Sequence, residues 1–271
     1  MVLSTSDIHT FQDDVLRQGT LLYREMPWRT DCNPYYILLS EVMLQQTQVP
    51  RVLQKFSEFI TAFPTLESLA LADFYQVLSC WSGLGYNRRA KFLHQAAIQI
   101  HNRGAFPETV KELQQLPGIG PNTAASILVY AFNQSQVFIE TNVRTVFIYH
   151  FFQHSSEKIP EKDLHTLVEQ TMYTVNPRQW YWALMDYGTY IKKTYGNFNA
   201  MSTMHTTQSK FEGSVRQKRA AILRFLIQQG AQSAESISYS LEYTLEDIIP
   251  LLNVLQTQGM IRCENALYCI A

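Results

Sequence analysis

The stretch "LPGIGPNT", residues 116–123, carries the most distinctive local chemistry of this 271-residue chain. Gly118 and Gly120 bracket Ile119, and Pro121 follows at once. Glycine admits the backbone angles of a tight turn and leaves amides uncovered. Proline suits the first turn of a helix, where its missing N–H would have had no partner. Uncovered amides at the positive end of a helix dipole form a cradle for an anion such as a phosphate. The competing reading is a glycine C-cap followed by an ordinary new helix. His150 and His154 stand four apart, a spacing that fits a metal on one helical face, but no other ligand motif accompanies them. Packing or surface roles explain them as well, and no metal is expected. Cys32, Cys80, Cys263 and Cys269 are scattered and are read as reduced thiols.

Such a turn needs two helices to hold it. Helical periodicity dominates the first two hundred residues, as in "YYILLSEVMLQQTQVPRVLQKFSEFITAF" and "RRAKFLHQAAIQIHNRG", and no sustained alternation marks a long strand. The fold class is therefore all-α, divided into short helices by breakers at 63–65, 82–87 and 104–109. A helix ending near Gln115 and another opening at Pro121 make the glycine turn a helix-hairpin-helix. Residues 196–211 turn polar and aperiodic and read as a linker. Beyond it, three helical segments and two short strands around Glu264 and Asn265 predict a small winged-helix domain over 212–271. Pro250 is expected to interrupt the third of these helices or mark its start.

Hydrophobic residues make up 46% and charged residues 17% of the chain, ordinary globular usage, and no window predicts a membrane span. The N-terminus "MVLSTSDIHTFQDD" lacks the pattern of an export signal, so the expected location is cytoplasmic, or at the nucleoid in a bacterium. A net charge of −1 argues neither for nor against nucleic acid. Between Lys192 and Arg224, however, seven basic residues face one acid, Glu212. That run reads either as a local positive field or as a solvated surface.

Five blocks in order, "MPWR" (26–29), "SEVMLQQTQV" (40–49), "WSGLGYNRRAKFLHQAA" (81–97), "LPGIGPNTAASIL" (116–128) and "IETNVRTV" (139–146), resemble the helix-hairpin-helix base-excision DNA glycosylases. Within that superfamily the match is to the adenine DNA glycosylases that act on adenine opposite 8-oxoguanine. The resemblance spans about residues 20–190, with a glycosylase domain of two helical subdomains set at 1–195. It implies a monomer that binds double-stranded DNA holding a mismatched or damaged base, flips the base out and hydrolyses its glycosidic bond. Glu41 matches the catalytic glutamate that protonates the leaving purine and helps activate water. Such an acid gains from burial that raises its pKa. Glu140 stands where the family carries an aspartate that opposes the cationic sugar; one extra methylene displaces the carboxylate by about 1.5 Å, enough to matter for a positioned group. Its competing reading is a helix-start glutamate favoured by the dipole. Asn122 stands where bifunctional relatives carry a lysine. An amide forms no Schiff base, so base removal without strand cleavage is implied.

The same resemblance implies DNA contacts at Gln45, Gln46, Tyr86, Arg88, Arg89, Asn142 and the turn Gly118, Ile119 and Gly120, and a base pocket at Trp28, Arg29 and Trp182. Three departures qualify it. Trp182 replaces the glutamine or glutamate that reads the adenine edge. The stretch after "MDYG" holds no cysteine where relatives place a four-cysteine iron-sulfur motif, so no cluster and no other cofactor is expected. The family's C-terminal 8-oxoguanine-recognition domain is replaced by the short segment read as a winged helix. The alternative functions are a thymine or uracil mismatch glycosylase on the same fold and a non-catalytic DNA-binding protein.

Overall fold

The computed structural model describes residues 2–207 and 210–271. In chain order the helices are α1 (Thr5–Leu21), α2 (Pro27–Thr30), α3 (Pro34–Leu44), α4 (Val49–Ala62), α5 (Leu66–Ala70), α6 (Phe74–Trp81), α7 (Arg88–Arg103) and α8 (Val110–Leu113). They continue with α9 (Pro121–Phe132), α10 (Thr141–Phe152), α11 (Glu161–Gln170), α12 (Pro177–Thr194), α13 (Val215–Gln229), α14 (Ala234–Leu241) and α15 (Leu245–Thr257). Strands β1 (Ile261–Glu264) and β2 (Leu267–Ile270) close the chain. No helix of the described residues is long and apolar enough to cross a membrane.

The chain divides into two compact units: residues 1–41, 107–115 and 119–207 form the first, and 42–106, 116–118 and 208–271 the second. The first unit is built on α12, which buries Trp180, Tyr181, Leu184 and Ile191. Phe11 and Val15 of α1 and Val143, Val146 and Phe147 of α10 pack with it. Two glycines permit that packing. A Cβ on Gly19 would overlap Ala183, and one on Gly188 would overlap the backbone of Asn142, so α1 and α10 approach α12 more closely than any side chain allows. Removing water from this apolar surface supplies the drive for the assembly, roughly 25 cal/mol per Å² buried.

The second unit packs α4 to α7 around Phe56, Phe59, Trp81 and Leu93 and adds the C-terminal elements to them. In those elements Ile222, Leu226, Ile237, Ile248, Leu252 and Leu255 form a small core. The hairpin pairs Ile261 with Ile270 and Glu264 with Leu267 around a turn in which Asn265 and Ala266 have φ of 50° and 61°. Two left-handed residues give the turn the twist that a two-residue antiparallel hairpin requires.

Three details differ from the sequence reading. The periodic run from 35 to 63 is two helices: the chain breaks after Leu44, Gln46 adopts a φ of 58°, and α4 starts with proline in its first turn. Pro250 neither starts nor interrupts α15 but lies inside it. The bond it forfeits is to the carbonyl of Glu246, a residue exposed to solvent that can hydrate the oxygen. The expected linker 196–211 begins as ordered structure. Phe198–Met201 is a 3-10 helix, and the backbone of Ile159 bonds Met201 and Thr203 at 2.9 and 3.0 Å. Residues 208 and 209 of that linker lie outside the described residues. Residues 1–195, expected as a domain of two helical subdomains, are shared between the two units, and residues 210–271 group with α4 to α7.

The close approach of α10 and α12 is testable. Gly188→Ala should cost about 1–3 kcal/mol of stability, because the added methyl meets backbone that cannot rotate away. A urea melt with unchanged stability would show that the two helices separate at little cost.

Candidate active site

Four residues of the first unit meet around two carboxylates. Glu41 lies near the end of α3, followed by the buried Val42 and Met43. Ser126, fully buried on α9, hydrogen-bonds Glu41 Oε2, and its Oγ also lies 3.1 Å from the Thr123 carbonyl. A hydroxyl has one proton and so serves one of these acceptors at a time. When it serves Thr123, the contact with Glu41 is a hydrogen bond only if Glu41 carries a proton. Burial, and next the negative charge of Glu140, push the Glu41 carboxyl up from 4.5 to about 8, against the pull of Ser126. Both glutamates keep some accessible surface, yet protein surrounds them on most sides, and desolvation is the larger cause for each.

Glu140 caps the N-terminus of α10 through its backbone: its carbonyl accepts from Arg144 N at 2.9 Å, while its side chain makes no capping bond. The carboxylate is therefore left for other work, at the helix end whose dipole favours a negative charge. Burial raises its pKa and the Arg144 guanidinium lowers it. Arg144 is in turn held by Glu161, at 2.7 and 3.1 Å, and by Asn199 at 3.1 Å. With both carboxyls close, one proton is shared unequally. The Arg144 guanidinium favours the charged form of Glu140, whereas the charge of Glu140 opposes that of Glu41.

The extended segment leading into Glu140 is fixed on both sides. Asn122 Nδ2 donates to the Ile139 carbonyl at 3.1 Å. Tyr181 stacks on Phe138 with ring centres 3.9 Å apart, and its hydroxyl accepts from Phe138 N at 3.1 Å. Tyr130, buried on α9, lies near enough to both glutamates that their charges, after burial, hold its hydroxyl well above its ordinary pKa. It remains a neutral donor. Asn122, Ser126 and Tyr130 thus share one stripe of α9, spaced by four. Ser126 and Tyr130 are site residues that sequence reading missed; three polar groups at this spacing in an otherwise apolar helix were the available signal.

Of the expected base-pocket residues, Arg29 lies within electrostatic reach of Tyr130. Trp28 is buried. Arg29, 7% exposed, is gripped by Asp186 at 2.6 and 3.1 Å and donates to the Arg24 carbonyl at 3.0 Å. Its guanidinium lies 5.5 Å from the ring centres of both Tyr23 and Trp182. Asp186 also holds Arg24, at 2.6 Å, so one buried carboxylate organises two arginines. Neither Asp186 nor Tyr23 was singled out from the sequence. Asn142 donates to Thr189 at 3.3 Å, a contact between α10 and α12.

The remaining expected contacts lie in the second unit or in the hairpin. Arg88 is exposed, its guanidinium 4.9 Å from the Phe92 ring. Arg89, expected on a phosphate, is instead 7% exposed, and its guanidinium is committed inward. It donates to the carbonyls of Val42, Met43, Gln45, Leu84 and Gly85 and to Thr47 Oγ1, at 2.5 to 3.3 Å. It ties the chain break after α3 to the loop before α7. Gln45 is half-buried there, Gln46 and Tyr86 are exposed, and the latter two adopt left-handed φ of 58° and 47°. Such angles are strained for side chains of this size and concentrate at functional sites. In the hairpin, Gly118 has φ of 76°, and a Cβ there would meet Phe92 at 2.9 Å. Gly120 is extended, with φ of −86° and open space around it. Ile119 is buried, so only its backbone is offered outward.

Residues 39–170 match the model of the HhH-GPD superfamily of base excision DNA repair proteins. That stretch, just under half of the chain, is similar to this superfamily. Curated relatives named adenine DNA glycosylase include those of Buchnera aphidicola subsp. Baizongia pistaciae (34% identical over 62% of this chain and 48% of the relative) and Mycobacterium tuberculosis (41% over 52% and 48%). That of Mus musculus is 36% identical over 52% of this chain and 30% of its own. The chain spans about half the length of the first two of these relatives. Among solved structures, a thermostable thymine-DNA glycosylase superposes with a TM-score of 0.59 at 24% identity, covering 68% of this chain and 86% of its own. A trapped covalent complex of endonuclease III with DNA gives 0.53 at 18%, covering 70% and 86%. These likenesses show the HhH-GPD glycosylase fold.

The carboxylate pair has a consequence for stability. Folded Glu41 holds its proton up to about pH 8, whereas the unfolded residue releases it near 4.5. Across that window the native state binds more protons, so stability falls as pH rises. Glu41→Gln should remove this slope and raise the melting temperature at pH 8 by a few degrees, at roughly 2–4 °C per kcal/mol for a chain of this size. An identical pH dependence in wild type and variant would place the Glu41 pKa in the ordinary range.

Proposed function

We propose that the protein is a monofunctional DNA glycosylase that removes a flipped base from duplex DNA, with adenine opposite 8-oxoguanine or guanine as its substrate. The observation that carries this reading is the buried pair in which burial, and next the charge of Glu140, push Glu41 up to about 8, while Glu140 lies beside Arg144 at a helix N-terminus. The relatives named adenine DNA glycosylase support the choice of base.

In the proposed reaction Glu41 passes its proton to the departing purine as the bond between sugar and base breaks. The electrons of that bond leave with the base, and the carboxylate of Glu140 opposes the positive charge left on the sugar. Glu41, now ionised, accepts a proton from the water that adds to the sugar, which restores both groups. Asn122 takes no covalent part: its amide fixes the backbone next to Glu140. The product is an abasic site in an uncut strand. The greater reach of glutamate over aspartate is met by a segment held from two sides, through Asn122 and Tyr181.

No iron-sulfur cluster is part of this reading. Cys32 lies in the first unit, Cys80 on α6 and Cys263 and Cys269 on the hairpin strands; among the described residues no three metal-ligating side chains come together. We propose further that the C-terminal elements are a winged-helix-like module, that the protein acts as a monomer, and that the amides of the hairpin turn hold a phosphate of the strand from which the base is flipped.

Incubation with end-labelled duplexes bearing A:8-oxoG, A:G, T:G and U:G, followed by alkali, tests the reading. Cleavage is expected on the adenine duplexes only after alkali, and Glu41→Gln should slow base release by about 100-fold or more. Release confined to T:G and U:G would move the substrate to the mismatch-pyrimidine class, and release from none would leave a DNA-binding protein. Gly120→Asp, which the extended backbone accepts without strain, should weaken binding roughly tenfold on every duplex. Unchanged affinity of the folded variant would reduce the hairpin to a connection between helices.

A further inference from the structure

The C-terminal elements are fastened to α6 and α7 of the second unit at defined points. Tyr75 on α6 donates its hydroxyl to the Ile227 carbonyl at 2.8 Å. Lys91 on α7 donates to the carbonyls of Gln258 and Gly259, at 2.7 and 2.8 Å, just past the end of α15. A helix leaves its last carbonyls without partners and its dipole favours a cation there, so these contacts explain themselves as docking.

A third contact does not. Arg216, in the first turn of α13, hydrogen-bonds the Tyr86 hydroxyl and lies 5.4 Å from the ring centre. A cation in the first turn works against the helix dipole, so this placement needs a compensating use. Its partner is an unusual tyrosine: 38% exposed, at a left-handed φ of 47°, with the guanidinium of Arg89 also 5.6 Å from its ring centre. Arg89 is immobilised by its inward hydrogen bonds. The ring is thus held by one fixed cation and one lent by the C-terminal elements.

We propose that Arg216 is a positioning residue for Tyr86, and that the C-terminal module thereby sets which base is accepted opposite the excised one. The proposal rests on the proposed function and on the resemblance that places Tyr86 among the residues that probe the base stack near the opposite base. An aromatic probe discriminates between bases only if its orientation is fixed before contact; a freely rotating ring adapts to whatever it meets. Arg216 supplies both a hydrogen bond to the hydroxyl and a planar cation against the ring, two constraints that a lysine cannot supply together.

The test is binding of the full chain to four duplexes, each with a tetrahydrofuran abasic site facing guanine, 8-oxoguanine, cytosine or thymine. Wild type is expected to prefer one partner base. Arg216→Ala and Arg216→Lys should each shrink that preference by about fivefold or more, and Tyr86→Phe, which removes only the hydroxyl, by part of this amount. Combining Arg216→Ala with Tyr86→Phe should add nothing to Arg216→Ala alone. Thermal melting checks that each variant folds. Equal weakening on all four duplexes would make Arg216 a phosphate contact and overturn the proposal. So would additive losses in the double variant, or a wild type without preference. Base release from the adenine duplexes is measured separately: its absence would sink the proposed activity while the binding cycle still decides the role of Arg216.

Discussion

Two carboxylic acids brought together out of water cannot both ionise, and the first unit is organised around that constraint. Glu41 and Glu140 are each raised by burial, and the charge of Glu140 raises Glu41 further. What breaks the symmetry is local: Arg144 and the start of α10 favour the charged form of Glu140, whereas Glu41 has only the Ser126 hydroxyl. The result is two side chains of the same residue type whose ionisation is pushed apart by their surroundings.

Holding that arrangement takes much of the rest of the unit. Glu140 is placed by the segment before it, which Asn122 fixes through the Ile139 carbonyl and Tyr181 through stacking and hydrogen bonds. Arg144 is placed by Glu161 and by Asn199. The close packing of α10 on α12, which Gly188 permits, sets the position from which both act. Two carboxyls are costly to bury together, and the segments that carry them are accordingly held by several partners each.

Much of this was legible in the sequence. The short helices, the glycine turn and the block around Glu41 follow from periodicity, breakers and a specific motif pattern. The break after Leu44 was not, because the polar run Gln45, Gln46, Thr47 and Gln48 that spans it also suits the exposed face of a continuous helix, and Pro50 in the first turn of α4 is the stronger mark. Arg89 was expected on DNA because basic residues in a loop-to-helix stretch carry no sequence mark of burial; its role is set by the carbonyls that the fold brings to it. Of the two glycines in the turn Gly118 has a left-handed angle and Gly120 does not, and the sequence pattern does not reveal which glycine makes the turn. Asn199 and the 3-10 helix around it lie in a stretch polar enough to read as linker, and polar side chains that bond buried partners look the same in sequence as those that face water.

The central claim is that burial, reinforced by the charge of the neighbouring Glu140, keeps the Glu41 carboxyl protonated at neutral pH. Carbon-13 NMR titration of the side-chain carboxyls of labelled glutamate, with the Glu41 signal identified by its loss in Glu41→Gln, reads this directly. Glu41 is expected to titrate near pH 8 in the wild-type protein and at lower pH in Glu140→Gln, where the neighbouring charge is gone. A Glu41 carboxyl that titrates near 4.5, or that ignores the loss of the Glu140 charge, would contradict the account.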